Sequence, residues 1–94
     1  MTARRMPEPG DQFVVRSDRS DPDLCLVHGY TYIVVDVHTE SDGIARMSLL
    51  CEPLDTQIGG VRWDDPALEP IGRTAESVNA VARLYEQYER NPHD

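Results

Sequence analysis

The chain has 94 residues, enough for one domain with a thin core and no room for a second. Hydrophobic residues make up 39% and charged residues 28%, an ordinary globular balance that excludes global disorder. Seventeen Asp and Glu stand against nine basic residues, all Arg, for a net charge of −8. Such a surface repels nucleic-acid phosphates and anionic membranes, and it attracts basic proteins.

Residues 1–10, with Arg4, Arg5, Pro7, Pro9 and Gly10, read as a flexible lead-in. The two Arg are followed by no apolar h-region, so no signal peptide is expected. No apolar stretch approaches the length of a membrane span. A cytoplasmic location is expected, with Cys25 and Cys51 as reduced thiols; two cysteines are too few for a disulfide scaffold.

A first strand is predicted over residues 11–16, where Phe13 and Val15 alternate with Gln12, Val14 and Arg16. Residues 17–29 form a polar loop that Pro22 and Gly29 keep out of regular structure. Residues 30–38 are dense in β-branched and aromatic side chains and make the clearest strand. Period two puts Thr31, Ile33, Val35 and Val37 on the core face, and Tyr30, Tyr32, Val34, Asp36 and His38 on the other. Residues 39–43 end in Asp42-Gly43, which is hairpin-turn chemistry. In the partner strand, residues 44–51, Ala45, Met47, Leu49 and Cys51 face inward while Arg46 and Ser48 face out.

A second turn is expected over residues 52–60, with Pro53, Asp55 and the Gly59-Gly60 pair. Residues 61–63 read as a short strand with Trp63 inward, and 64–68 as one helical turn with an Asp cap and Pro66 in its first position. Residues 69–72 make a final short strand, where Pro70 marks a sheet edge. Thr74 then caps a helix over 75–90 with Glu76 in its first turn. Val78, Val81, Tyr85 and Tyr88 fall on one seam of that helix, and Leu84 lies off it. A helix of this length must dock. Packing on its own sheet and a monomer are favoured, with a homodimer through the helix as the other arrangement.

This order of elements reads as mainly β with one helix: a small barrel of four to five short strands over 11–72 and an amphipathic helix over 73–91 packed on it. Residues 10–15 (GDQFVV), 29–35 (GYTYIVV) and 63–71 (WDDPALEPI) resemble the small SH3-like barrel proteins common in bacteriophages and mobile elements of GC-rich bacteria. The resemblance covers residues 10–72 and implies a fold rather than an activity. The Ala-Leu-Tyr-Asp-Tyr motif of eukaryotic SH3 domains is missing, so recognition of proline-rich ligands is not implied.

Cys25, His28, His38 and Cys51 compose a Cys₂His₂ set, the basis of an alternative reading as a structural metal-binding module. The strand phases oppose it by placing Cys51 inward and His38 on the opposite face. Asp18, Asp21 and Asp23 cluster in the first loop, but the sixth position counted from Asp18 is Asp23 and the twelfth is Gly29, so an EF-hand pattern fails. Cys25 and His28 lack an orienting third group and an oxyanion hole, and no phosphate-binding glycine motif is present. No catalysis, cofactor or metal is therefore expected.

What remains is surface. Tyr30 and Tyr32 beside Asp36 make an aromatic patch ringed by acid on the face read as outward. Should the helix cover that face, the tyrosines become a second small core. Asp18, Asp21, Asp23, Glu40, Asp42, Glu52, Asp55, Asp64, Asp65 and Glu69 collect in the connections as a candidate negative rim. The expected function is a non-enzymatic acidic interaction protein of phage or mobile-element type that binds a basic site on a host protein. Its specific form is nucleic-acid mimicry of the anti-CRISPR or anti-restriction kind.

Overall fold

The computed structural model describes residues 6–16 and 26–90. Five strands, β1 (Asp11–Val15), β2 (Thr31–Thr39), β3 (Ala45–Cys51), β4 (Thr56–Arg62) and β5 (Leu68–Arg73), precede helix α1 (Ala75–Arg90). Every paired neighbour is antiparallel, in the order β4-β3-β2-β1-β5. The expected class, mainly β with one C-terminal helix, is the observed one.

One face of every strand contributes to a single core: Phe13 and Val15, Tyr32 and Val34, Met47, Leu49 and Cys51, Val61, and Leu68, joined by Leu26. The helix packs on the opposite face, so the sheet must curl around its own side chains to cover this core. Three bulges bend it. Val35 is the extra residue of β2, lying between the pairs Val34–Leu49 and Asp36–Ser48. Gly59-Gly60 in β4 stands opposite Ser48 alone, and Ile71 is the extra residue of β5. Each bulge sharpens the local right-handed twist.

The bulge in β2 corrects the predicted phase. Tyr32 and Val34 lie inside the main core, whereas Ile33 and Val35 are buried on the other face, where Ile33 packs with Ala80, Val81 and Leu50. Beyond the bulge the phase shifts, and Val37 returns to the main core. Tyr32 therefore has no exposed ring to offer a partner. Its hydroxyl instead accepts the Val27 amide at 3.0 Å and ties the end of the first loop to the core. Tyr30 is half-buried against the same cluster.

Strand β4 begins five residues earlier than expected, because the glycine pair bulges a strand instead of turning the chain. Gly60 adopts φ 74°, the left-handed conformation that such a bulge requires. The turn before β4 is confined to Glu52–Asp55 and closed by Asp55 N–H to Glu52 O at 3.0 Å. Asp65 caps the turn before β5 as expected: its Oδ1 accepts the Ala67 amide at 2.8 Å, and Leu68 N–H reaches Asp65 O at 3.0 Å.

Thr74 and Ser77 form a reciprocal cap on α1. Ser77 N–H donates to Thr74 Oγ1 at 3.0 Å, and Thr74 N–H donates to Ser77 Oγ at 2.9 Å. The buried Ser77 hydroxyl also donates to Gly10 O at 2.7 Å, while Gly10 N–H donates to Val34 O at 2.8 Å. Residues 6–10 of the expected flexible lead-in are thus held in place, with Pro7 buried and Arg73 bound to Pro9 O at 2.8 Å.

The docked face of α1 is rotated from the predicted seam. Ser77, Ala80 and Val81 are buried, while Val78 and Tyr85 are 42% and 45% exposed. Small side chains at 77 and 80 allow the helix to approach the sheet closely. Tyr85 reaches down from the flank, and its hydroxyl donates to Val35 O at 2.7 Å.

Two substitutions test this arrangement. Tyr85→Phe removes one hydrogen bond to a bulge carbonyl and is expected to cost about 1–2 kcal/mol in denaturant unfolding. Amide exchange should rise in α1 before it rises in β3. Gly10→Ala places a Cβ 3.0 Å from Val78 Cγ2 at φ 98°. It is expected to cost at least about 2 kcal/mol by thermal melting.

Candidate functional site

The outward face of β2, β3 and β4 carries a row of charge fixed by strand register. His38 pairs with Arg46, and Arg46 pairs with Arg62, so three basic side chains lie side by side across three strands. Acids flank each of them. His38 Nε2–H donates to Glu40 Oε1 at 3.0 Å, and its Nδ1 lies 3.7 Å from Asp36 Oδ2. Arg46 grips Asp42 with both terminal nitrogens at 3.2 and 3.0 Å, and Arg62 grips Asp64 at 3.1 and 3.3 Å.

Four of the predicted acids, Asp36, Glu40, Asp42 and Asp64, are therefore brought to one face. They alternate there with His38, Arg46 and Arg62. The hairpin chemistry positions Asp42: Glu40 N–H donates to Ile44 O, Gly43 N–H donates to Glu40 O, and Asp42 Oδ1 accepts the Ile44 amide at 3.0 Å. The hydrogen bonds from Arg46 and then from the Ile44 amide hold the Asp42 carboxyl below its usual range. Arg46 is pushed up reciprocally by Asp42. Asp65 is half-buried and occupied as a cap, and Asp18, Asp21 and Asp23 lie outside the described residues.

The proposed metal set is not assembled by its described members. Cys51 is fully buried in the main core, and His38 is exposed on the outer face. The Nδ1–H of His28 donates to Val15 O at 2.8 Å, and Cys25 lies outside the described residues.

Sequence reasoning missed a groove of about 300 Å³ between α1 and the β3–β4 hairpin. Leu50, Ala80 and Leu84 form its floor. Glu52 and Asp55 stand on the hairpin side, and Arg83 and Gln87 on the helix side. Arg83 Nη2 reaches Glu52 Oε2 at 3.4 Å, with both side chains at least half exposed. Glu52 and Asp55 among the acids of the connections, and Leu84 off the helix seam, were the signals of this groove in the sequence.

Asp42→Asn tests the charged row, because the amide keeps the cap on Ile44 and loses the charge. A carboxyl whose folded pKa is lowered adds stability above its unfolded value of 3.8, and that stability is lost as pH falls through the folded value. The variant is expected to be less stable than wild type at about pH 7, with the difference shrinking as pH falls below 3.8, by denaturant unfolding. Compared with family models, with curated proteins and with solved structures, the chain matches none.

Proposed function

We propose that this protein acts by binding, as a non-enzymatic acidic module that engages a basic site on a protein partner. The observation that carries this reading is the charge of −8 without a single Lys, with Asp36, Glu40, Asp42 and Asp64 held at exposed positions on one face. Acidic side chains held in place by register steer a cationic partner and fix its orientation. His38 stands opposite Arg46 in the ladder, and its Nε2–H is taken by Glu40.

The alternation of acids with Arg46 and Arg62 shapes the specific form of this reading. A partner's lysines and arginines meet Asp36 and Glu40 first, because among the described residues neither is held in an ion pair by an arginine. The resemblance of residues 10–72 to phage and mobile-element barrels supports a host protein as the target, and a nucleic-acid-binding cleft is the basic site such a surface suits best. A cytoplasmic setting accords with this. Among the described residues, no helix is long and apolar enough to cross a membrane.

Capture from a nuclease-treated host lysate on the immobilised chain, followed by mass spectrometry, tests the reading. Bound proteins are expected to be basic and to elute as salt rises from about 0.1 M to about 0.5 M. A variant carrying Asp36→Lys and Glu40→Lys should keep its melting temperature and lose the captured proteins. Retention that ignores both salt and charge reversal would remove the proposal.

A further inference from the structure

The groove between α1 and the β3–β4 hairpin has a chemistry distinct from that of the charged row. Its floor is a patch of aliphatic side chain from Leu50 and Leu84, and its mouth holds two carboxylates, Glu52 and Asp55. No hydrogen bond or ion pair engages the Asp55 carboxylate among the described residues. The backbone holds it in place, because Asp55 sits at φ 49° with its amide bonded to Glu52 O. At about 300 Å³ the groove lies at the small end of ligand sites, sized for a side chain.

We infer that this groove takes an arginine side chain of the protein partner. The inference rests on the acidic-module reading and names where on this chain a partner cation enters. Three observations carry it. An arginine has a long aliphatic stem, which the Leu50–Leu84 floor covers, and a planar head that stays in the mouth. That head presents five donors, and Glu52 and Asp55 supply carboxylate acceptors at the mouth to receive them. The third observation is that the chain's own Arg83 already occupies part of this position. It stands 3.4 Å from Glu52 in an exposed bridge. Exposed pairs of that kind hold weakly, so a guanidinium from outside displaces or joins Arg83 at little cost. Lysine fits the floor equally well and offers a single point charge in place of five donors.

Titration of the ¹⁵N-labelled full chain at physiological salt tests the inference, with Nα-acetyl-arginine methylamide, its lysine counterpart and its leucine counterpart as probes. The arginine probe is expected to shift the amides of residues 52–57 and 80–87, with saturation. It should bind about fivefold more tightly than the lysine probe. Asp55→Asn is expected to weaken it by about fivefold while leaving the spectrum of the free protein intact, since Asn tolerates the left-handed conformation. An equal response to the lysine or leucine probe would overturn the arginine assignment. Shifts confined to residues 36–46 and 62–64 would also overturn it, and would leave the acidic-module reading standing on the charged row. No response to either cationic probe anywhere on the protein would remove both.

Discussion

The extra residue Val35 in β2 is the constraint on which the rest of the molecule depends. A bulge withdraws backbone groups from the ladder, and buried carbonyls need donors. Gly10 N–H supplies one to Val34 O, and the Tyr85 hydroxyl supplies one to Val35 O. Those two donors come from opposite ends of the chain. The bulge thereby sets the entry of β1 and the lie of α1, and Ser77 closes the loop by donating to Gly10 O. A cluster of Ile33, Leu50, Ala80 and Val81 then has only to fill the space between surfaces already aligned.

The same bulge makes β2 a strand with two buried faces. Tyr32 and Val34 serve the curled sheet, and Ile33 and Val35 serve the helix. Both surfaces considered for function follow from this. The charged row lies on the stretch of β2 beyond the bulge, where the helix no longer covers the sheet. The groove lies where α1 leaves β2 and meets the hairpin end of β3 and β4 without filling the gap.

Much of the fold was legible in the sequence, for local reasons. Thr74 marked the helix start, Asp65 and Pro66 marked the turn before β5, and the alternation of residues 45–51 gave the inward face of β3. The misreading of β2 has its cause in period two, which assumes an unbroken strand with one buried face. The run Tyr32-Ile33-Val34-Val35 is continuously apolar, the pattern of a strand covered on both sides, and forcing it into two classes sent Tyr32 to the surface. Gly59-Gly60 was read as a turn because a bulge and a turn ask for the same residue. At the site, the acids of the hairpin were visible as a cluster. Their pairing with His38, Arg46 and Arg62 was not, because it depends on register across three strands. The groove was hidden further still, since its walls come from elements about thirty residues apart in the chain, as the Glu52–Arg83 pair shows.

An antiparallel sheet that leaves β4 and β5 at its margins exposes two rows of backbone groups to any passing strand. Here each margin is spoiled from within: β4 by its glycine bulge, and β5 by Pro70 and the extra Ile71. Irregular, proline-bearing edges are poor templates for edge-to-edge pairing, and like charge on neighbouring copies adds to the barrier. A chain so built resists stacking into fibrils at high concentration. Among the described residues, neither sheet margin offers a straight ladder of amides and carbonyls to an added strand.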